Sequence, residues 1–74
     1  MMVELGSMWR VDAAFPAMSP EPEEHREQIE SGSLVLVVEE SLEPAGPARV
    51  KLSLCNRAYW AYERDIIGSA RRVS

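Results

Sequence analysis

Seventy-four residues, 46% hydrophobic and 27% charged with four glycines and five prolines, suffice for one small globular domain and leave no room for a second. The single cysteine, Cys55, excludes an intramolecular disulfide framework and points to a reducing, cytoplasmic setting. The longest apolar run, residues 34–38, is far too short to span a bilayer, and no charged-then-apolar leader opens the chain, so a soluble, unexported protein without a membrane partner is expected. The formal net charge of -4 is unevenly spread: residues 1–43 carry -8 and residues 44–74 carry +4. Arginine outnumbers lysine seven to one, which favours bidentate pairing with carboxylates and contact with aromatic faces.

Residues 1–7 are weakly patterned and read as a flexible tail, leaving residues 8–74 as the domain. In residues 8–13, Trp9, Val11 and Ala13 alternate with Arg10 and Asp12, the pattern of a half-buried strand. Pro16, Pro20 and Pro22 then argue against a continuing strand. Residues 14–29 therefore read as a long acidic loop. A short helix is expected inside it, with Ser19 as N-cap, Pro20 at the first helical position and Glu21, Glu23 and Glu24 at the positive end. Ser31 and Gly32 supply its stop.

The β-branched run Leu34, Val35, Leu36, Val37, Val38 predicts a strand buried on both faces, at the centre of a sheet. Pro44, Ala45, Gly46 and Pro47 mark a turn, after which Val50, Leu52 and Leu54 alternate with Arg49, Lys51 and Ser53. A tight reversal follows at Cys55, Asn56 and Arg57, with Asn56 suited to a left-handed conformation. Residues 58–62 form the returning strand. Glu63, Arg64 and Asp65 predict a single helical turn, Ile66 returns to the core, and residues 68–73 give a last strand. The sum is a mainly β fold: a single small five-stranded antiparallel barrel with a long acidic N-terminal loop.

The run from Gly32 to Val38, then Arg49, Val50, Lys51 and Leu52, then residues 59–66 (Tyr, Trp, Ala, Tyr, Glu, Arg, Asp, Ile) resembles the bacterial Src-homology-3-like barrel pattern. The resemblance covers about residues 9–73, and compact one-barrel proteins of this look also occur among small phage-encoded proteins. Tyr59 stands where that family usually has glycine, and Ala61 where it has a larger aliphatic residue. The resemblance implies that Ala61 and Ile66 point inward, which would turn Trp60 and Tyr62 to the surface near Phe15.

Catalytic constellations are thin. His25 is the only histidine, Cys55 the only thiol, and the four glycines stand apart, so neither a closed metal site, nor a Cys–His nucleophile, nor a phosphate loop is indicated. Neither a cofactor nor an enzymatic activity is expected. The aromatic set is the feature that points to function: Trp60, Tyr62 and Phe15, with Arg64 nearby, have the composition of a binding hot spot. The equal alternative is that the long loop folds back over Trp60 and Tyr62 and uses them as a secondary core. The first reading is thus a protein-interaction module for a peptide or partner surface, with Glu21, Glu23, Glu24 and Glu27 selecting basic partners. A second has Trp60 and Tyr62 stacking on nucleic-acid bases while Arg49, Lys51, Arg57 and Arg64 track phosphates, against which the sequence pI near 4.9 argues. A third is a homo-oligomer formed through the edge strand at residues 68–73.

Overall fold

Alternating side chains dominate the chain, and the computed structural model, which describes residues 3–20, 23–41 and 46–74, is accordingly mainly β. Among the described residues seven strands form: β1 (Met8–Val11), β2 (Phe15–Ser19), β3 (His25–Ile29), β4 (Leu34–Glu40), β5 (Arg49–Leu54), β6 (Arg57–Tyr62) and β7 (Ala70–Arg72). One helix, α1 (Glu63–Ser69), precedes β7. All strands join one antiparallel sheet in the order β3-β2-β6-β5-β4-β1-β7, whose two ends do not pair with each other. The expected five strands are therefore seven, and the sheet is open rather than a closed barrel.

One face of this sheet supplies nearly the whole core. Trp9, Val11, Phe15, Ala17, Ile29, Val35, Val37, Val50, Leu52, Tyr59 and Ala61 alternate with outward side chains and meet in a single cluster with Val3 and Ile66. A flat sheet covered by one seven-residue helix would leave such residues wet, so their burial requires the sheet to curl around them. Each large side chain buried this way contributes about 1.5–3 kcal/mol. The helix seals the remaining side. It packs on β2, β6 and β7, inserts Ile66 into the core, and its Ser69 carbonyl accepts from the N–H groups of Asp12 and Ala13.

Several local expectations change. The acidic loop is a β2–β3 hairpin paired over five positions, from Phe15 opposite Ile29 to Ser19 opposite His25; no helix forms there among the described residues. Pro16, with no N–H to give a ladder, occupies an exposed strand position, while Phe15, Ala17 and Ser19 alternate inward. Tertiary burial of that alternating face outweighs the proline signal. β4 is wet on one side, since Val35 and Val37 are buried while Leu34 and Val38 are exposed, and the register shifts between Val37 and Glu39. The centre of the sheet is β5, not β4. Residues 3–7 are no tail: Val3 is fully buried, the Gly6 N–H donates to the Val37 carbonyl, and buried Ser7 Oγ accepts from Trp9 Nε1 at 2.9 Å.

Other expectations stand in the structure. The reversal between β5 and β6 places both Cys55 (φ 51) and Asn56 (φ 65) in the left-handed region, the geometry that matches strand twist in a two-residue hairpin. The turn between β4 and β5 falls partly outside the described residues, because Pro44 and Ala45 lie there. The helical turn after Tyr62 extends to seven residues, which shortens the last strand to three.

Candidate functional site

Strand β6 carries the site because its two faces have different fates. Tyr59 and Ala61 point into the core, and Trp60 and Tyr62 point outward. Trp60 is half-buried and Tyr62 is 37% exposed. On one side β6 is zipped to β5 over six positions, from Arg49 opposite Tyr62 to Leu54 opposite Arg57. On the other side it meets β2 at one position, Met18 opposite Trp60.

That single pairing makes the ladder between β2 and β6 short, although the two strands remain close neighbours. Pro16 contributes no N–H there, and beyond Tyr62 the chain turns into α1, where the Glu63 N–H donates to the Ala48 carbonyl rather than toward β2. A groove of about 320 Å³ follows the seam. Pro16 and Met18 form one wall and Trp60 and Tyr62 the other, with Ala17 and Ala61 between them also bordering it. A second hollow continues past Met18 and Trp60 toward Pro20 and Ser41.

Charged groups ring the apolar walls. Register places a cation opposite three of the four wall residues, Arg26 opposite Met18, Lys51 opposite Trp60 and Arg49 opposite Tyr62, while Pro16 lies opposite Gln28. From α1, the Arg64 guanidinium lies 4.8 Å from the centre of the Tyr62 ring, a cation–π contact that holds both side chains on the rim. Acids share the lining: Glu24, just before β3, and Asp65, next to Arg64, border the groove with the arginines. Glu39, on β4, sits 3.7 Å from Lys51 Nζ.

Of the residues singled out in the sequence, Trp60, Tyr62 and Arg64 come together here. Phe15 does not: at 2% exposure it is a core residue, because β2 turns Phe15 and Ala17 inward and leaves Pro16 and Met18 outside. Glu23 and Glu24 are exposed, and only Glu24 borders the groove. Glu27 is engaged elsewhere. Its Oε2 accepts from Arg57 Nη2 at 2.9 Å and lies 3.2 Å from His25 Nε2, while His25 Nδ1 donates to the Glu23 carbonyl at 2.8 Å. Arg57 also lies 5.3 Å from the Tyr59 ring, away from the groove lining. Glu21 lies outside the described residues.

Sequence reasoning missed Pro16, Met18 and Arg26. The alternation of residues 15–19 was there to find Pro16 and Met18, masked by the proline signals at 16 and 20. Cys55 is exposed in its turn, and no three His, Cys, Asp or Glu side chains among the described residues group as metal ligands. No helix of the described residues is long and apolar enough to cross a membrane. No protein-family model, curated protein or solved structure matches this chain.

Proposed function

We propose that the chain is a small non-catalytic interaction module that receives an extended protein segment in the groove between β2 and β6. The observation that carries this reading is the outward Met18–Trp60 pair at a seam joined by one cross-strand position. A tryptophan beside a tyrosine offers contact area at low conformational-entropy cost. The apolar walls with a charged perimeter match the usual anatomy of an interface, an apolar centre with a polar rim. In this reading Trp60 and Tyr62 are the anchors, and Arg64 braces the tyrosine.

The test is capture from native-source lysate, with and without nuclease, by the parent and by a Trp60→Ala, Tyr62→Ala variant whose circular dichroism matches the parent. A protein retained by the parent, lost by the variant and indifferent to nuclease supports the reading and identifies the partner. Retention that disappears with nuclease favours nucleic-acid stacking on the same aromatics. A mass that grows with concentration equally in parent and variant favours self-association through the β7 edge.

A further inference from the structure

We infer that β3 is a self-recognition edge, on which a second copy of this chain adds antiparallel across a twofold axis through Gln28. The inference stands apart from the groove reading. Strand β3 ends the sheet, and among the described residues no backbone group other than those of β2 bonds to residues 25–29. Pro16 decides which groups of β3 are left over. Antiparallel partners alternate between pairs that exchange both backbone bonds and pairs that exchange none. Pro16 has no N–H, so its pair with Gln28 is of the second kind and the bonds to β2 fall at His25, Glu27 and Ile29. The N–H and C=O groups of Arg26 and Gln28 therefore face the free edge.

Charge commonly guards such an edge against its own copy, and here it does the reverse. The outward side chains Arg26, Gln28 and Glu30 are all exposed and run positive, neutral, negative. Neither Arg26 nor Glu30 has an ion pair among the described residues. Four residues of extended chain, roughly 13 Å, hold them too far apart to pair with each other. A twofold axis through Gln28 reverses the order. Arg26 then meets Glu30 of the second copy, Glu30 meets its Arg26, and the two Gln28 amides, each both donor and acceptor, face one another.

Neighbouring axes lack this match. Through Arg26 the two arginines meet; through Glu27 the two Glu27 carboxylates meet and Glu24 meets Glu30; through His25, Glu23 meets Glu27. An axis through Ile29 sets Arg26 against Gly32 and gains no ion pair. The other end of the sheet is guarded, since an axis through Arg71 or Arg72 of β7 opposes arginine to arginine. The self-pairing edge is thus β3 rather than residues 68–73. A few residues of added ladder with two surface ion pairs fall short of the roughly 1,200 Å² of a stable interface, so the dimer is weak and depends on concentration.

The test is sedimentation equilibrium of the full chain from micromolar to millimolar concentration. The parent's mass should rise from 8.3 kDa toward twice that value, less steeply in high salt. Arg26→Glu and Glu30→Arg each create two like-charge pairs across the axis, so each should weaken the dimer by about a hundredfold, tenfold for each reversed contact. An equimolar mixture of the two variants should dimerise again, because one then presents two acids to the other's two arginines. Arg71→Glu should dimerise as the parent does. Both β3 positions are exposed, so the variants should keep the parent's circular dichroism; should one lose it, the double exchange Arg26→Glu, Glu30→Arg carries the test by dimerising as the parent does.

A parent chain that stays at 8.3 kDa overturns the proposal. So does a dimer indifferent to both β3 reversals, and if Arg71→Glu alters that dimer, β7 is the edge. A mixture of the two folded single variants, or a double exchange, that stays monomeric overturns the register about Gln28.

Discussion

The two sides of β6 carry the main contrast in this molecule. Toward β5 it pairs over six positions and hides Tyr59 and Ala61 against Val50 and Leu52; toward β2 it pairs at one and leaves Trp60 facing a groove. The same six residues therefore serve as core strand and as binding wall. What separates the two is the neighbour: β5 offers an uninterrupted alternating strand, whereas β2 begins with an inward phenylalanine followed by a proline. A curled sheet that does not close can leave such a seam without exposing its core, because the inward face stays covered by its own curvature and by α1.

The strongest way to break this contrast is to remove a side chain assigned to the inward face. Phe15→Ala should destabilise the fold by about 3–5 kcal/mol and Leu52→Ala by about 2–5 kcal/mol in denaturant unfolding, since both are fully buried. A loss under about 1 kcal/mol for Phe15→Ala, the usual scale of surface changes, would return that residue to the surface and dissolve the wall between core and groove. The β5–β6 side depends next on its turn. Asn56→Val places a β-branched residue at φ 65 and should cost roughly 1–2 kcal/mol, read as a lower melting temperature with binding retained.

Smaller effects sharpen the other side. Trp60→Ala should cost about 1 kcal/mol or less in stability, because the ring is half-buried on the outward face, while removing partner binding. A loss comparable to that of Phe15→Ala would make Trp60 a second core residue. Glu27→Gln, which breaks the pairing with Arg57 at a partly solvated site, should change stability by about 1 kcal/mol at most and leave binding intact. A binding loss there would extend the site past the groove to the outer side of β3.

Much of the β5–β6 side is legible in the sequence, and much of the β2 side is not. Val50, Leu52 and Leu54 alternate with polar residues, Asn56 marks the reversal, and the alternation of residues 58–62 shows that Trp60 and Tyr62 share a face. Which face is wet depends on what covers it, and only the fold settles that. In residues 15–29, local proline signals compete with a five-residue alternation, and the alternation prevails because it buries Phe15, Ala17 and Ile29. Val3 is unreadable for a similar reason: one valine in a short polar segment has no periodicity, yet it finds a fully buried position in the core. Charge was legible in amount but not in place, since the acid-rich half of the chain contributes Arg26 to the groove and uses Glu27 to hold Arg57.

The two tryptophans allow the central claim to be tested within one spectrum. Trp9 is buried with its Nε1–H donated to Ser7 Oγ, whereas Trp60 lines the groove. Nitrogen-15 nuclear magnetic resonance of the parent chain, titrated with the partner that it captures from lysate, should move the Trp60 indole signal and leave that of Trp9 in place. Binding that shifts Trp9, or that leaves Trp60 unmoved, would contradict the assignment of the β2–β6 seam as the binding site.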